Sequence, residues 1–359
     1  MSRGSSKKPS TGSHPARRPQ VSTVSAEGER SAVRWVTVGE DNHGQRVDNF
    51  LLAQLRGVPK SVVYRIVRKG EVRVNKGRVK PDTRLKSGDQ VRIPPVTQKK
   101  KEVAVLPGAR VQEVMESAIV FENDDMLVVN KPAGIAVHGG SGLDFGLIEV
   151  LRAARPQGRF LELVHRLDRD TSGLIMVAKK RSALRFLQDE LRHKRIRKHY
   201  HALVAGVWPA AVDRVAAPLL RYELSNGERR VRVDDEGKES LTTYRVLTVY
   251  AGYSLVQASP VTGRTHQIRV HSAYAGHPIA GDDKYMDDAS LKAFRAEGGR
   301  RLMLHAFALE FALPGSGDAM RLEAPYDEPF GVMLEKLALR PGINASGANA
   351  QDINNKRTS

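Results

Sequence analysis

The string ELVHRLDRDTSGLIMVAKK, from Glu162 to Lys180, sets a dense group of polar and ionisable residues between two apolar runs. One strand entering a tight loop and a second leaving it would present Asp168 at the turn. A carboxylate held there can serve as a nucleophile or as a base. Asp170 follows two positions later, on the same side if the backbone is extended. Such neighbours are poorly placed for glycoside hydrolysis, which needs two carboxyls facing each other across the sugar bond, about 5–9 Å apart. The plain alternative is a loop acid held by His165 or Arg166. A second string, SPVTGRTHQIRVHSAYAGHPIAGD, runs from Ser259 to Asp282. Read as an extended run, it puts Arg264, His266, Ile268 and Val270 on one face and Thr265, Gln267, Arg269 and His271 on the other. An arginine such as Arg269 can keep a buried carboxylate ionised, and breaking such a pair costs about 3–5 kcal/mol. His266 and His271 are expected to be hydrogen-bonded structural histidines, since no spacing here matches a metal-ligand set.

The elements that must position these residues follow from periodicity. Strand patterns occur at Met126–Asn130, Leu174–Ala178, Leu203–Ala205 and Tyr253–Ala258. The clearest helix spans Arg181–Lys198, with Leu184, Leu187 and Leu191 facing inward. Gly173 is expected to free the backbone of the Asp168 loop. Short strands interrupted by helices predict an α+β domain over 103–340 with a large mixed or antiparallel sheet.

An earlier segment, 43–96, has a different character. Between His43 and Lys101 there are 16 Lys/Arg and 4 Asp/Glu, so 16 − 4 gives +12, most of the chain's net +18. Val47, Phe50, Leu51 and Leu55 recur at helical spacing. Pro59 opens a second helix whose apolar face is Val62, Val63, Ile66 and Val67, and Gly70 stops it. Lys60, Arg65, Arg68 and Lys69 lie around that face, and Arg73 enters the first of two short strands. These cations are candidates for phosphate contacts, which give affinity rather than sequence choice. Residues 1–33 and 341–359 read as disordered tails and 97–102 as a linker.

Composition removes several classes. No apolar run reaches the roughly 18 residues of a membrane span, and the basic N-terminus lacks the apolar region of a secretory signal. With no cysteine, there are no disulfides, thiolate metal sites or thiolate nucleophiles. A reducing cytoplasm is expected, and so is a monomer, since no coiled-coil pattern is present. A non-catalytic RNA-binding or assembly factor and a nucleoside hydrolase fit the same basic chain.

The segment VPKSVVYRIVRKGEVRVNKGRVKPDTRLKSGDQVRIPP resembles the RNA-binding module first described in small-subunit ribosomal protein S-four. HRLDRDTSGL, followed some ninety residues later by GRTHQIR, resembles the RluA-type pseudouridine synthases, and NKPAG at Asn130–Gly134 and Lys198-His199-Tyr200 add to the match. The resemblance implies a central RNA-binding cleft and isomerisation of uridine to pseudouridine, without cofactor or metal, in large-subunit 23S ribosomal RNA. Transfer RNA is the alternative target. It also implies roles. Asp168 matches the catalytic aspartate, and Tyr200 the tyrosine that stacks on uracil near the proton to be removed from carbon five. Arg269 matches the basic partner of the aspartate, and Arg166 the arginine that enters the RNA where the flipped base has left. Asp170 matches no essential position.

Overall fold

The computed structural model describes Met1 and residues 32–55, 57–96, 107–139, 145–156 and 160–340. The expected tails at 1–33 and 341–359 and the linker at 97–102 fall almost wholly outside these residues. The chain divides into two compact units, Met1–Val103 and Ala104–Ser359.

In the first unit, β1 (Arg34–Thr37) is followed by α1 (Val47–Gln54), α2 (Lys60–Arg68), β2 (Arg73–Val74), β3 (Gly77–Arg78) and β4 (Gln90–Ile93). The strands form an antiparallel sheet in the order β1-β4-β2-β3. Its core is the predicted apolar set: Val47, Phe50 and Leu51 from α1, Val63, Ile66 and Val67 from α2, with Val91 and Ile93 beneath. Gly70 ends α2 at φ +71°, the left-handed conformation a side chain would resist. Asn75 and Lys76 both hold positive φ, 48° and 67°, which turns β2 into β3 with the twist a two-residue hairpin needs.

The second unit begins with α3 (Ala109–Ser117), β5 (Ile119–Glu122), β6 (Met126–Lys131), α4 (Leu147–Ala154), β7 (Glu162–Leu163), β8 (Ser172–Ala178) and α5 (Arg181–Arg192). It continues through β9 (Arg197–Ala205), β10 (Arg214–Ala216), β11 (Leu219–Glu223), β12 (Arg229–Val233), β13 (Leu241–Tyr250), β14 (Tyr253–Pro260) and α6 (Gln267–Tyr274). Last come α7 (Asp288–Ala296), β15 (Leu304–Ala312), β16 (Ala319–Glu323) and α8 (Glu328–Ala338). A mixed sheet runs β10-β13-β14-β9-β15-β8-β6-β5, with β16 added to β15 and β7 to β8. β11 and β12 form a separate hairpin.

Period two explains how the sheet is covered. Leu127 and Val129 of β6 and Ile175 and Val177 of β8 join the core under α4 and α8. Met126, Val128, Leu174 and Met176 point the other way, towards Ala183 and Leu187 of α5. Both faces are buried, so these strands read as continuous apolar runs.

Three expectations need correction. The helix predicted over Arg181–Lys198 ends at Arg192; Lys194 turns the chain at φ +58°, and Arg197 and Lys198 begin β9. Gly173 lies in β8 rather than in the loop, at φ +104°. A Cβ there would sit 2.3 Å from the carbonyl oxygen of Ala306, so the residue is required by the close approach of β15. The third is the segment after Arg264, which is helical from Gln267.

Candidate active site

β7 is two residues long and antiparallel to β8; the polar stretch between them loops out and carries Asp168. Lys131, at the end of β6 and fully buried, donates from Nζ to the carbonyls of Pro132, Ile135 and Arg169 at 2.8, 2.9 and 3.0 Å. The Gly134 N–H adds a second bond to the Arg169 carbonyl, and the Thr171 N–H donates to that of Asp168. The loop is thus pinned from beneath by the turn after β6. Burial brings the Lys131 ammonium down to about 7. His165 does not hold Asp168: its Nε2 accepts from the Met176 N–H at 3.2 Å, and burial lowers its pKa to about 3.

Arg269 stands on α6, a helix buried from Gln267 to Ser272. Gln267 Oε1 receives the Thr262 hydroxyl at 2.7 Å and the Arg264 N–H at 3.0 Å, fixing the turn into the helix. The guanidinium forks onto Asp282: Nε to Oδ2 at 2.7 Å and Nη2 to Oδ1 at 2.6 Å. Asp282 is fully buried, and its Oδ1 also takes the N–H groups of Lys284 and Tyr285. Burial by itself would depress the guanidinium's pKa, but the Asp282 bonds and the charges of Asp282 and Asp168 outweigh it and raise it. The remaining nitrogen, Nη1, lies 4.0 Å from Asp168 Oδ2. The arginine's first partner is therefore Asp282, and Asp168 faces its free edge. His271 behaves as the structural histidine expected, bonded to Ser240 and Thr242. His266 is hydrogen-bonded as well, its Nδ1 lying 2.6 Å from the Tyr285 hydroxyl, and its Nε2 is in addition 3.9 Å from Asp168 Oδ2.

These groups surround a cavity of about 120 Å³, lined by Arg166, Asp168, Tyr200 and Arg269 together with Ile268 and Leu304. Tyr200 comes from the middle of β9, between Ala258 of β14 and Ala306 of β15. Burial, and then the nearby Asp168 charge, push its hydroxyl above the ordinary value. Near neutral pH it is an uncharged phenol, suited to stacking on a flat ring. Arg166 is exposed and lines both this cavity and an adjoining groove of about 790 Å³. Arg192, Lys194, Arg197, Lys198 and Arg264 make that groove cationic. Asp170 is turned away, bonded to Arg169 at 3.1 Å in a separate cavity. In the first unit Lys60, Arg65, Arg68 and Lys69 are exposed along α2, while Arg73 is half-buried in β2.

Reasoning from sequence misses three contributors to this site. Lys131 sits in the NKPAG string, and a lysine ending an apolar strand is the available signal. Asp282 closes the second string, yet nothing local marks it as the partner of Arg269. His266 reads from sequence as merely structural.

The sequence model of the RNA pseudouridylate synthase family matches residues 125–274, and that of the S4 domain matches 45–91. The chain belongs to the RNA pseudouridylate synthase family: it is an RNA pseudouridine synthase that carries an S4 domain ahead of its catalytic sheet. Ribosomal large subunit pseudouridine synthase C of Haemophilus influenzae is 55% identical over 308 residues, 86% of this chain and 96% of the relative. The protein of that name from Escherichia coli (strain K12) is 57% identical over 313 residues, 86% and 98% of the two chains. Among solved structures, Human RNA Pseudouridylate Synthase Domain Containing 4 aligns with a TM-score of 0.54 and 25% identity, over 64% of this chain and 96% of that one.

Proposed function

We propose that the protein isomerises uridine to pseudouridine at several positions of large-subunit 23S ribosomal RNA, with Asp168 as the catalytic group. The observation that carries this is the Asp168 carboxylate opening into a cavity beside a neutral Tyr200, with Arg269 and its own carboxylate partner behind. The large-subunit names of the two relatives support the choice of RNA.

In the reaction the bond from ribose C1′ to uracil N1 breaks and a bond from C1′ to C5 forms. C5 loses a proton and N1 gains one, so atoms and electrons balance without an oxidant or a cofactor. The uridine must first leave its stack, at a cost of a few kcal/mol. Arg166, exposed beside the cavity, is suited to fill the place it vacates, and the cationic groove holds the flanking phosphates. Tyr200 stacks on the uracil and lies where the C5 proton must depart. Asp168 attacks the sugar, attacks the ring or removes a sugar proton; each route uses the carboxylate, and Arg269 Nη1 stands 4.0 Å from it. Lys60, Arg65, Arg68, Lys69 and Arg73 add phosphate contacts in the S4 unit. The protein is expected to act in the cytoplasm, as a monomer.

The test is pseudouridine mapping of large-subunit RNA from cells with and without the protein, and from cells carrying Asp168→Asn. Specific sites should vanish in the deletion and in the variant. The purified variant should bind RNA normally and turn over slower by on the order of a thousandfold or more. Normal turnover by Asp168→Asn would overturn the assignment.

A further inference from the structure

Two hydrogen bonds lead from the β11–β12 hairpin to His266, whose far nitrogen stands 3.9 Å from Asp168. The Val231 N–H of β12 donates to the Tyr285 oxygen at 3.1 Å. The Tyr285 hydroxyl lies 2.6 Å from His266 Nδ1. That oxygen already accepts a hydrogen bond from the amide, and its own O–H is the donor directed at Nδ1. An imidazole that accepts at Nδ1 carries its hydrogen on Nε2. Nε2 faces Asp168 Oδ2 at 3.9 Å, the same oxygen that Arg269 Nη1 approaches. Burial, against the pull of Asp168, lowers the His266 pKa, so the ring stays uncharged at neutral pH. The backbone contributes too: His266 holds φ +53° as the residue before α6. Non-glycine residues seldom adopt that conformation, and where they do it clusters at sites where a side chain must be aimed.

Two donors point at one carboxylate oxygen from about 4 Å, and at hydrogen-bond distance such a pair fixes the rotation of the carboxyl group. We propose that His266 is a positioning residue for Asp168: Tyr285 sets its tautomer, and its Nε2–H together with Arg269 Nη1 holds Oδ2, leaving Oδ1 to the nucleotide. The inference rests on the reading of Asp168 as the catalytic carboxylate. An uncharged donor orients the group without adding a second cation to the arginine. Both distances are near 4 Å, and catalytic hydrogen bonds commonly shorten once substrate enters. The hairpin thereby acquires a link to the reacting group through one amide and two rings. Nothing local in the sequence connects residues 231, 285 and 266.

The experiment uses the full chain and protein-free 23S ribosomal RNA transcribed in vitro. Single-turnover pseudouridine formation at saturating enzyme, RNA affinity and the melting temperature are measured for the wild type, His266→Asn, Tyr285→Phe and the double variant. Asparagine tolerates positive φ, and phenylalanine keeps the ring that stacks with Arg269. His266→Asn should slow the single-turnover rate by about tenfold to a hundredfold with affinity unchanged within about twofold. Tyr285→Phe should slow it less, and the double variant should be no slower than His266→Asn alone, because both changes cut one relay. A wild-type rate in His266→Asn, or effects that multiply in the double variant, would overturn the proposal. If His266→Asn melts well below the wild type, Tyr285→Phe decides: a slower rate at unchanged affinity supports the relay and an unchanged rate overturns it. Absence of pseudouridine from the wild-type chain would instead bring down the reading beneath, and this one with it.

Discussion

His201 and His305 are buried in the sheet and make the fold sensitive to acid. His201 stacks on Phe307 at 3.9 Å and bonds Tyr326 through Nδ1; His305 bonds the Ser172 hydroxyl at 2.8 Å. Burial lowers the first to about 3 and the second to about 4. Unfolded, each would titrate near 6.5, so below that pH the unfolded chain binds more protons than the folded one. Their stabilising effect is complete above about 6.5 and is lost as the pH falls towards the folded values. At pH 5 each should have cost about 2 kcal/mol. Calorimetry between pH 7 and pH 5 should show a falling melting temperature; a flat profile would contradict it. At this scale the ionisable cluster around Asp168 was readable, because polar residues inside an apolar run need a reason to be there. Asp282 and Lys131 were not, since a partner chosen by the tertiary fold leaves no local mark.

The elements were legible where one face meets the core and the other meets water. α2 shows this, with Val63, Ile66 and Val67 buried and Arg65 and Arg68 exposed. α6 fails the same test: its first six residues, Gln267 through Ser272, are all buried and give no 3.6-residue pattern, and its β-branched Ile268 and Val270 imitate a strand. α5 reads too long from sequence because the charges of Lys194 and Arg195 continue the exposed face past its true end. Strand packing supplies a sharper test. Gly173→Ala forces a Cβ to within 2.3 Å of the Ala306 carbonyl oxygen, at φ +104°. The change should destabilise the protein by about 2–5 kcal/mol through left-handed strain and overpacking, read as a lower denaturation midpoint. A midpoint equal to the wild type's would show that β8 and β15 can part without penalty.

For the whole molecule, the net charge of +18 divides unevenly, with +12 (16 − 4) between His43 and Lys101. If the exposed cations of α2 touch phosphates, replacing Lys60, Arg65, Arg68 and Lys69 by Gln together should weaken RNA binding. The plot of log affinity against log salt should become shallower by about 0.7–0.9 for each phosphate left unneutralised. Turnover at saturating RNA should stay near the wild-type value. An unchanged slope would remove α2 from the RNA interface. The division into a basic module and a larger sheet domain could be anticipated from composition and periodicity. The strand order could not, because β8 meets β15 across 133 residues of chain, from Ser172 to His305.

That long-range pairing has a consequence for biosynthesis. A chain leaving the ribosome N-terminus first, at about 5–20 residues per second, presents β8 and β9 well before their common neighbour β15 exists. Until Ala312 has cleared the exit tunnel, both strands have a bare flank, open to pairing with other chains. Asp168 precedes β8 and Tyr200 stands on β9, so the cavity they share takes its final shape only after β15 has been made.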